Sequence, residues 1–124
     1  MTEIKTNSDL IGQVQIADEV IAIIAGTAAL EVEGVVATGG NMSNEFAGII
    51  GKKNFSKGVR VNVVDGDVSV VIGLSVKFGF KVQEIAYEVQ RRVKNAIETM
   101  TGLNVLDVDV SVLAVNFDKD KNNA

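Results

Sequence analysis

The sequence predicts a single α+β domain, a two-layer sandwich in which a mostly antiparallel mixed sheet carries two main helices on one face. Three observations support this fold class. Two segments repeat apolar residues with helical spacing, others alternate apolar and polar residues as strands do, and Asp65-Gly66 stands between two alternating segments as a hairpin turn. A chain of 124 residues has the length of one ordinary domain, and its 47% of hydrophobic residues can fill one core.

The chain divides into three parts by composition. Residues 1–12 are polar and predict a flexible N-terminal arm, whereas residues 118–124, with the sequence DKDKNNA, predict a disordered tail. Residues 13–117 contain all the periodic segments, and they predict the single α+β domain. The sequence shows no internal repeat and no linker that would indicate a second domain.

The first long element is a helix at residues 19–32. A short edge strand is expected before it at residues 14–16, and Asp18 is the expected N-cap because its carboxylate can accept hydrogen bonds from first-turn amides. The helix is apolar almost all round, which predicts burial on two sides, or a core on one side and a partner on the other. Its two apolar stripes are Val20, Ile23, Ile24 and Thr27, and Ile21, Ala25, Ala28 and Val32.

A short strand at residues 35–38 precedes the clearest local signal, a β-hairpin. Residues 59–63 alternate valine with polar residues, and residues 68–78 alternate in the same way after the Asp65-Gly66 turn. One face of the return strand is therefore expected to lie in the core and the other to face solvent. The core set is Val68, Val70, Ile72, Leu74, Val76 and Phe78.

A second helix is expected at residues 81–100, where apolar residues keep the i, i+3, i+4, i+7 spacing, with Gly102 as its terminating glycine. The last strand, at residues 105–117, turns apolar on its outer face near its end. An apolar patch on a small domain indicates a contact surface. The predicted partner or self-association surface consists of Val71, Leu113, Val115 and Phe117.

The segment at residues 41–57 holds a second candidate site. Gly48 and Gly51 have the GxxG spacing with which KH domains clamp a nucleic-acid backbone, so the loop at residues 48–57 makes a KH-like RNA-binding module the alternative hypothesis. The two isoleucines between these glycines are atypical of a phosphate-facing loop. Basic residues of this region and of the second helix predict a contact surface for an acidic partner or an anionic membrane. They are Lys52, Lys53, Lys57, Arg60, Arg91 and Arg92.

Composition narrows the chemistry that the chain can perform. Cys and His are both absent, which excludes disulfides, thiolate nucleophiles, zinc–sulfur sites and every Ser–His pair. With 12 basic and 16 acidic residues the net charge is −4, which argues against generic nucleic-acid binding. We therefore expect a binding or structural module without cofactor or metal, rather than an enzyme that uses Lys, Tyr87 or carboxylate chemistry.

The order of several short motifs resembles the alkaline shock protein family, the small cell-envelope stress response proteins of Gram-positive bacteria. The resemblance covers about residues 14–117 and starts with IADEVI at residues 16–21. One departure is Lys81-Val82-Gln83, where many members carry an Ile-Pro pair at the start of the helix. The later landmarks are Lys57-Gly58-Val59, Asp65-Gly66, Phe78-Gly79, Val89-Gln90, Ala96-Ile97-Glu98 and Met100-Thr101-Gly102-Leu103.

This resemblance implies a non-enzymatic protein that self-associates and is recruited to the cytoplasmic side of the membrane by a membrane-anchored partner. No signal peptide and no apolar run of about 20 residues is present, so a cytoplasmic location, peripheral at the inner face of the membrane, is expected. The resemblance supplies no catalytic motif. It leaves open the partner, the stress, the oligomer size, any link to lipid metabolism and the role of residues 41–57.

Overall fold

The computed structural model describes residues 11–12, 14–39 and 57–117. The predicted tail, most of the predicted arm and most of the segment at residues 41–57 lie outside the described residues. The described elements are helix α1 (Asp18–Leu30), strands β1 (Val35–Thr38), β2 (Val59–Val64) and β3 (Asp67–Lys77), helix α2 (Val82–Thr101) and strand β4 (Asn104–Asn116).

Strand β3 is the centre of a mixed sheet. It pairs antiparallel with β2 along its first half and with β1 near its end, so that β1 and β2 lie end to end along the same side. On its other side β3 pairs along its whole length with β4, which runs parallel to it. Parallel neighbours need a long crossover, and α2 supplies it. The predicted mixed, mostly antiparallel sheet is confirmed.

Both helices cover one face of this sheet, as predicted. Helix α1 packs on α2, β1 and β2, and α2 packs on β4. Between helices and sheet lies one core, in which the alternate residues of β3 are completely or almost completely buried. Its fully buried larger side chains are Ile21, Val68, Val70, Ile72, Leu74, Val76, Val89, Val93 and Ile97.

The predicted hairpin turn is confirmed in detail. Asp65 and Gly66 both have positive φ, 51° and 83°, which is the backbone that a two-residue turn between strands with right-handed twist requires. At the far end of the sheet the pattern fails for Phe78. We expected this side chain in the core, but it is 64% exposed because it lies just beyond the end of β3.

The start of the domain differs from the prediction in two respects. Residues 14–16 form no strand, and the N-cap of α1 is Ala17, with Asp18 and Glu19 in the first turn. Both acids still complement the helix dipole there, so the charge pattern was correct and the boundary was one residue off. Of the two apolar stripes, the one containing Ile21 and Ala25 is buried in the core.

Side chains of α2 cover polar groups on the edge of β4. Gln90 Nε2 donates to the Val108 carbonyl at 3.0 Å, and the Val105 amide donates to Glu98 Oε2 at 2.9 Å. Lys94 Nζ reaches both Glu98 Oε2 at 3.0 Å and the Val105 carbonyl at 3.4 Å. An edge strand whose backbone groups are satisfied in this way is a poor template for unwanted strand pairing.

Candidate functional site

The face of the sheet turned away from the helices is the first candidate surface, and we call it the open face. Side chains there come from alternate positions of three strands, because residues in register across a sheet share a face. Val71 of β3 lies near its centre and is 48% exposed. No helix or strand of the described residues covers it.

A glycine shapes the centre of the open face. A Cβ built on Gly73 would lie 2.5 Å from Leu113 Cδ1, so the leucine lies over the glycine and occupies the space of the missing side chain. Beside Leu113 an open groove of about 360 Å³ extends toward β2. Its lining is Gly58, Val59, Arg60, Val71, Gly73, Ser111 and Leu113.

A β-bulge divides the predicted apolar patch into two groups. Val112 pairs with Leu74 but Ala114 pairs with Ser75, so Leu113 is an extra residue in β4. The alternation predicted for Val115 is therefore wrong, because the bulge brings it into register with the buried Val76. Val71 and Leu113 stay on the open face, whereas Val115 belongs to a group at the end of the sheet.

We call this second group the end cluster: Phe78, Val115 and Phe117. The rings of Phe78 and Phe117 stack with centroids 4.7 Å apart and an interplanar angle of 19°. All three side chains remain substantially exposed, Phe117 to 58%. Stacked aromatic side chains on a surface are a typical anchor for a protein partner.

The predicted basic residues do not form one surface in the structure. Arg60 lies on the open face, in register with Val71, whereas Arg91 and Arg92 lie on α2, which covers the opposite face. Lys57 is exposed next to β2. Lys52 and Lys53 lie outside the described residues.

Both arginines of α2 are paired with a single carboxylate. Arg91 Nη2 lies 2.6 Å and Arg92 Nε 3.0 Å from Glu88 Oε2. The hydrogen bonds from Arg91 and then Arg92 lower the pKa of Glu88, and Glu88 in turn raises the pKa of Arg91. Glu33 and Glu84 line the groove next to Arg92. The basic character of this helix face is therefore weakened by its own acids.

The carboxylate that fastens α2 to β4 also has a perturbed pKa. The backbone amide of Val105 and then the Lys94 ammonium donate hydrogen bonds to Glu98, and they lower its pKa from the ordinary value of 4.5. Hydrogen bonds to the charged form stabilise that form. Glu98 thus has a structural function, and its ionisation belongs to the stability of the fold.

An apolar groove between the two helices accounts for the second stripe of α1. Ile23, Ile24 and Thr27 line it together with Ala96 and Met100 of α2. Ile24 and Ala96 pack against the core, whereas Met100 is 68% exposed. The stripe is therefore partly buried within the chain's own fold, and part of it remains exposed to solvent.

The described residues can bind, and they show no catalytic arrangement. Within residues 11–12, 14–39 and 57–117 no group of three or more His, Cys, Asp or Glu side chains is placed to hold a metal ion. Sequence reasoning missed the groove over Gly73 and the exposure of Phe78. Gly73 offered a signal, because a glycine inside a strand often marks close approach by another group.

Several uncharacterised bacterial proteins are similar to this chain over most of its length. The chain is 34% identical over 108 residues to YqhY of Bacillus subtilis, a match that covers 87% of this chain and 80% of that protein. It is 35% identical over 106 residues to YloU of the same organism, covering 84% and 88%. Spy1614 of Streptococcus pyogenes is 34% identical, with coverage of 82% and 85%.

Solved structures with a related fold have low sequence identity to the chain. A cadmium form of the MamM CTD is 18% identical, with a TM-score of 0.49 and coverage of 79% of this chain and 98% of the MamM domain. A copper form gives 19% identity, a TM-score of 0.47 and coverage of 77% and 95%.

Fold and surface together define a small α+β domain whose described surface offers apolar contact patches. The profile of the alkaline shock protein family, described by a cell envelope-related function, matches residues 6–117. The chain belongs to this family, and the resemblance stated from its sequence is confirmed. None of its described helices is both long enough and apolar enough to cross a membrane.

Proposed function

We propose that the protein is a non-enzymatic stress response scaffold of the cell envelope, which self-associates and is recruited to the cytoplasmic face of the membrane by a partner protein. The observation that carries this proposal is the pair of exposed apolar surfaces, the open-face residues Val71 and Leu113 and the end cluster. A scaffold needs at least two contact surfaces, one for its own copies and one for a partner. Family membership supports the cell-envelope setting.

The two surfaces differ in the contact that they favour. The end cluster presents two stacked aromatic rings, and aromatic anchors dominate the affinity of many protein interfaces. The open face is flat and polar at its margins, with Val71 and Leu113 at its centre, which is the anatomy of a moderate interface. We assign the end cluster to the membrane-anchored partner and the open face to self-association.

The assignment of the end cluster is tested with a double variant, Phe78→Asn and Phe117→Asn. Both side chains are exposed, so we expect the fold to persist in circular dichroism. The variant should lose co-sedimentation with partner-containing membranes from the native host. Tyr87→Asn is the matched control, because Tyr87 is an equally exposed aromatic residue, at 65%, on α2. Equal retention of the double variant and the control would refute the assignment.

Nuclease treatment of the same samples separates the proposal from RNA binding. Recovery of the chain with membranes should resist nuclease, since the proposed contact is apolar and between proteins. Binding through phosphates would also fall steeply with salt, whereas an apolar interface changes little. Nuclease-sensitive recovery of RNA would contradict the scaffold and favour the KH-like alternative.

A further inference from the structure

Opposite charges flank Val71 on the open face. Arg60 of β2 pairs with Val71, and Val71 pairs in turn with Asp109 of β4, so the three side chains form one row across the sheet. Neighbouring strands are about 4.8 Å apart, which places the two charged residues about 10 Å from each other. Both are exposed, and neither forms an ion pair with another described residue.

The same face carries a projection and a groove side by side. Leu113 projects from the β4 side, over Gly73. The groove beside it lies over Gly58 and Gly73, which are neighbours because the Gly73 amide donates to the Gly58 carbonyl at 2.9 Å. At about 360 Å³ the groove has ample room for a leucine side chain, since a cavity of about 150 Å³ already accepts a benzene ring.

A two-fold axis that runs along β3, in the plane of contact, relates all of these features to one another. Rotation about this axis exchanges the β2 side of one copy with the β4 side of the other. Arg60 then faces the partner's Asp109, and Val71 meets the partner's Val71 on the axis. Leu113 enters the groove over the partner's Gly58. Charge and shape therefore become complementary under one and the same operation.

The other face-to-face two-fold arrangement is unfavourable. An axis across the strands would place β4 on β4, and it would bring the acidic row of Asp107 and Asp109 against its own copy. Like charges opposed in this way cost several kcal/mol in an interface. Sheets that pack face to face also keep their strands roughly aligned, at about −30°. Both arguments select the axis along β3.

The size of the face indicates a weak, reversible dimer. Three strands about 4.8 Å apart and eleven residues of about 3.3 Å give a face of roughly 15 by 35 Å, or about 500 Å² in projection for each copy. A pair of copies would bury about 1,000 Å², near the lower limit for specific interfaces. We therefore expect dissociation in the micromolar range.

The geometry points to a second copy of this chain as the occupant of the open face, related by a two-fold axis along β3 with reciprocal Arg60–Asp109 contacts. This inference rests on the self-association in the proposed function and specifies its surface and register. It also explains why Leu113 lies over a glycine, since the resulting projection and groove fit each other in a dimer.

Charge reversal tests the register by sedimentation velocity over about 1–500 μM protein. Arg60→Asp and Asp109→Arg should each weaken self-association at least about tenfold, because each opposes like charges twice. Mixed in equal amounts, the two variants should form a heterodimer of near wild-type affinity. One copy then carries acids at both positions and the other bases at both. Single variants that dimerise normally, or a mixture that does not pair, would overturn the register.

A gain of affinity adds a test that a folding defect cannot imitate. Asn62 lies in register with Ser69, which pairs with Asp107, so the same axis places Asn62 opposite the partner's Asp107. Asn62→Lys should tighten the dimer several-fold at low salt. Asn95→Lys, an exposed position on α2, is the matched control and should change nothing. Equal effects of the two lysines would contradict the proposed interface.

Failure of this inference can be told apart from failure of the proposed function. A wild-type chain that stays monomeric over the whole range would contradict self-association itself. Leu113→Asp places a charge at the projection and should abolish pairing through the open face in any register. If wild type self-associates and neither this variant nor the charge reversals weaken it, only the open-face dimer is refuted.

Discussion

Gly58 is the position where a single methyl group should cost the most stability. Its φ is +81°, in the left-handed region, and an added Cβ would lie 2.5 Å from the Gly39 nitrogen and 2.7 Å from the Gly39 Cα. Both neighbours are backbone atoms, which cannot move aside as a flexible side chain would. The substitution Gly58→Ala must therefore separate the adjoining ends of β1 and β2.

The cost can be worked out from two contributions. A residue with a Cβ in the left-handed region loses about 1–2 kcal/mol relative to glycine. Separation of the strand ends also strains two hydrogen bonds, from the Gly39 amide to the Gly73 carbonyl at 2.7 Å and from the Gly73 amide to the Gly58 carbonyl at 2.9 Å. Each is worth about 1 kcal/mol, so we expect a total loss of about 3–4 kcal/mol.

The hairpin turn offers a matched control. Gly66 has φ of +83°, almost the same as Gly58, but a Cβ there would meet nothing within 4 Å. Gly66→Ala should lose only the conformational cost of about 1–2 kcal/mol. Urea unfolding followed by circular dichroism gives both values. Gly58→Ala should be less stable than Gly66→Ala by about 2 kcal/mol, and equal losses would refute the steric argument.

Three further predictions concern α2. The lowered pKa of Glu98 means that its stabilising effect is present above the unfolded value of 4.5 and lost as pH falls through the lower folded value; the difference in unfolding free energy between wild type and Glu98→Gln should therefore shrink between pH 7 and pH 3, and a constant difference would contradict it. Thr101→Val removes a hydroxyl that bonds the last turn, so stability should fall by about 1 kcal/mol in urea, with the exposed Thr99→Val as an unaffected control. The double variant Arg91→Glu and Arg92→Glu should abolish capture of an acidic partner in a pull-down with nearly unchanged Tm, because both side chains are exposed, and normal capture would exclude this helix face.

Local pattern was sufficient for the elements and for most of the core. The hairpin follows from Asp65-Gly66 between alternating segments, and α2 follows from its apolar spacing and its terminating Gly102, whose φ is 77°. Each of these features depends on neighbours within a few residues, so the sequence contains the whole cause. The rows of β3 were predicted equally well, because one face of this strand is buried along its full length.

The candidate surfaces were only half predictable. Val71 and Leu113 were expected to be exposed, but their separation from Val115 comes from a bulge at Leu113, which the alternation of β4 does not reveal. In the same way, nothing local indicates that Arg60 would lie across the sheet from Arg91. Which residues share a surface depends on strand register and on the face that the helices choose.

The sequence by itself determined the fold class, the helices, the hairpin and the family, because periodicity, turn residues and motif order are properties of the chain read in one direction. Only the tertiary structure decided that Arg60, Val71 and Asp109 form one row and that Leu113 fills the space above Gly73. Those juxtapositions join residues far apart in the chain, and they arise from the pairing of β3 with β2 and β4. Pairing over such distances is set by the packing of the whole core, which no local pattern records.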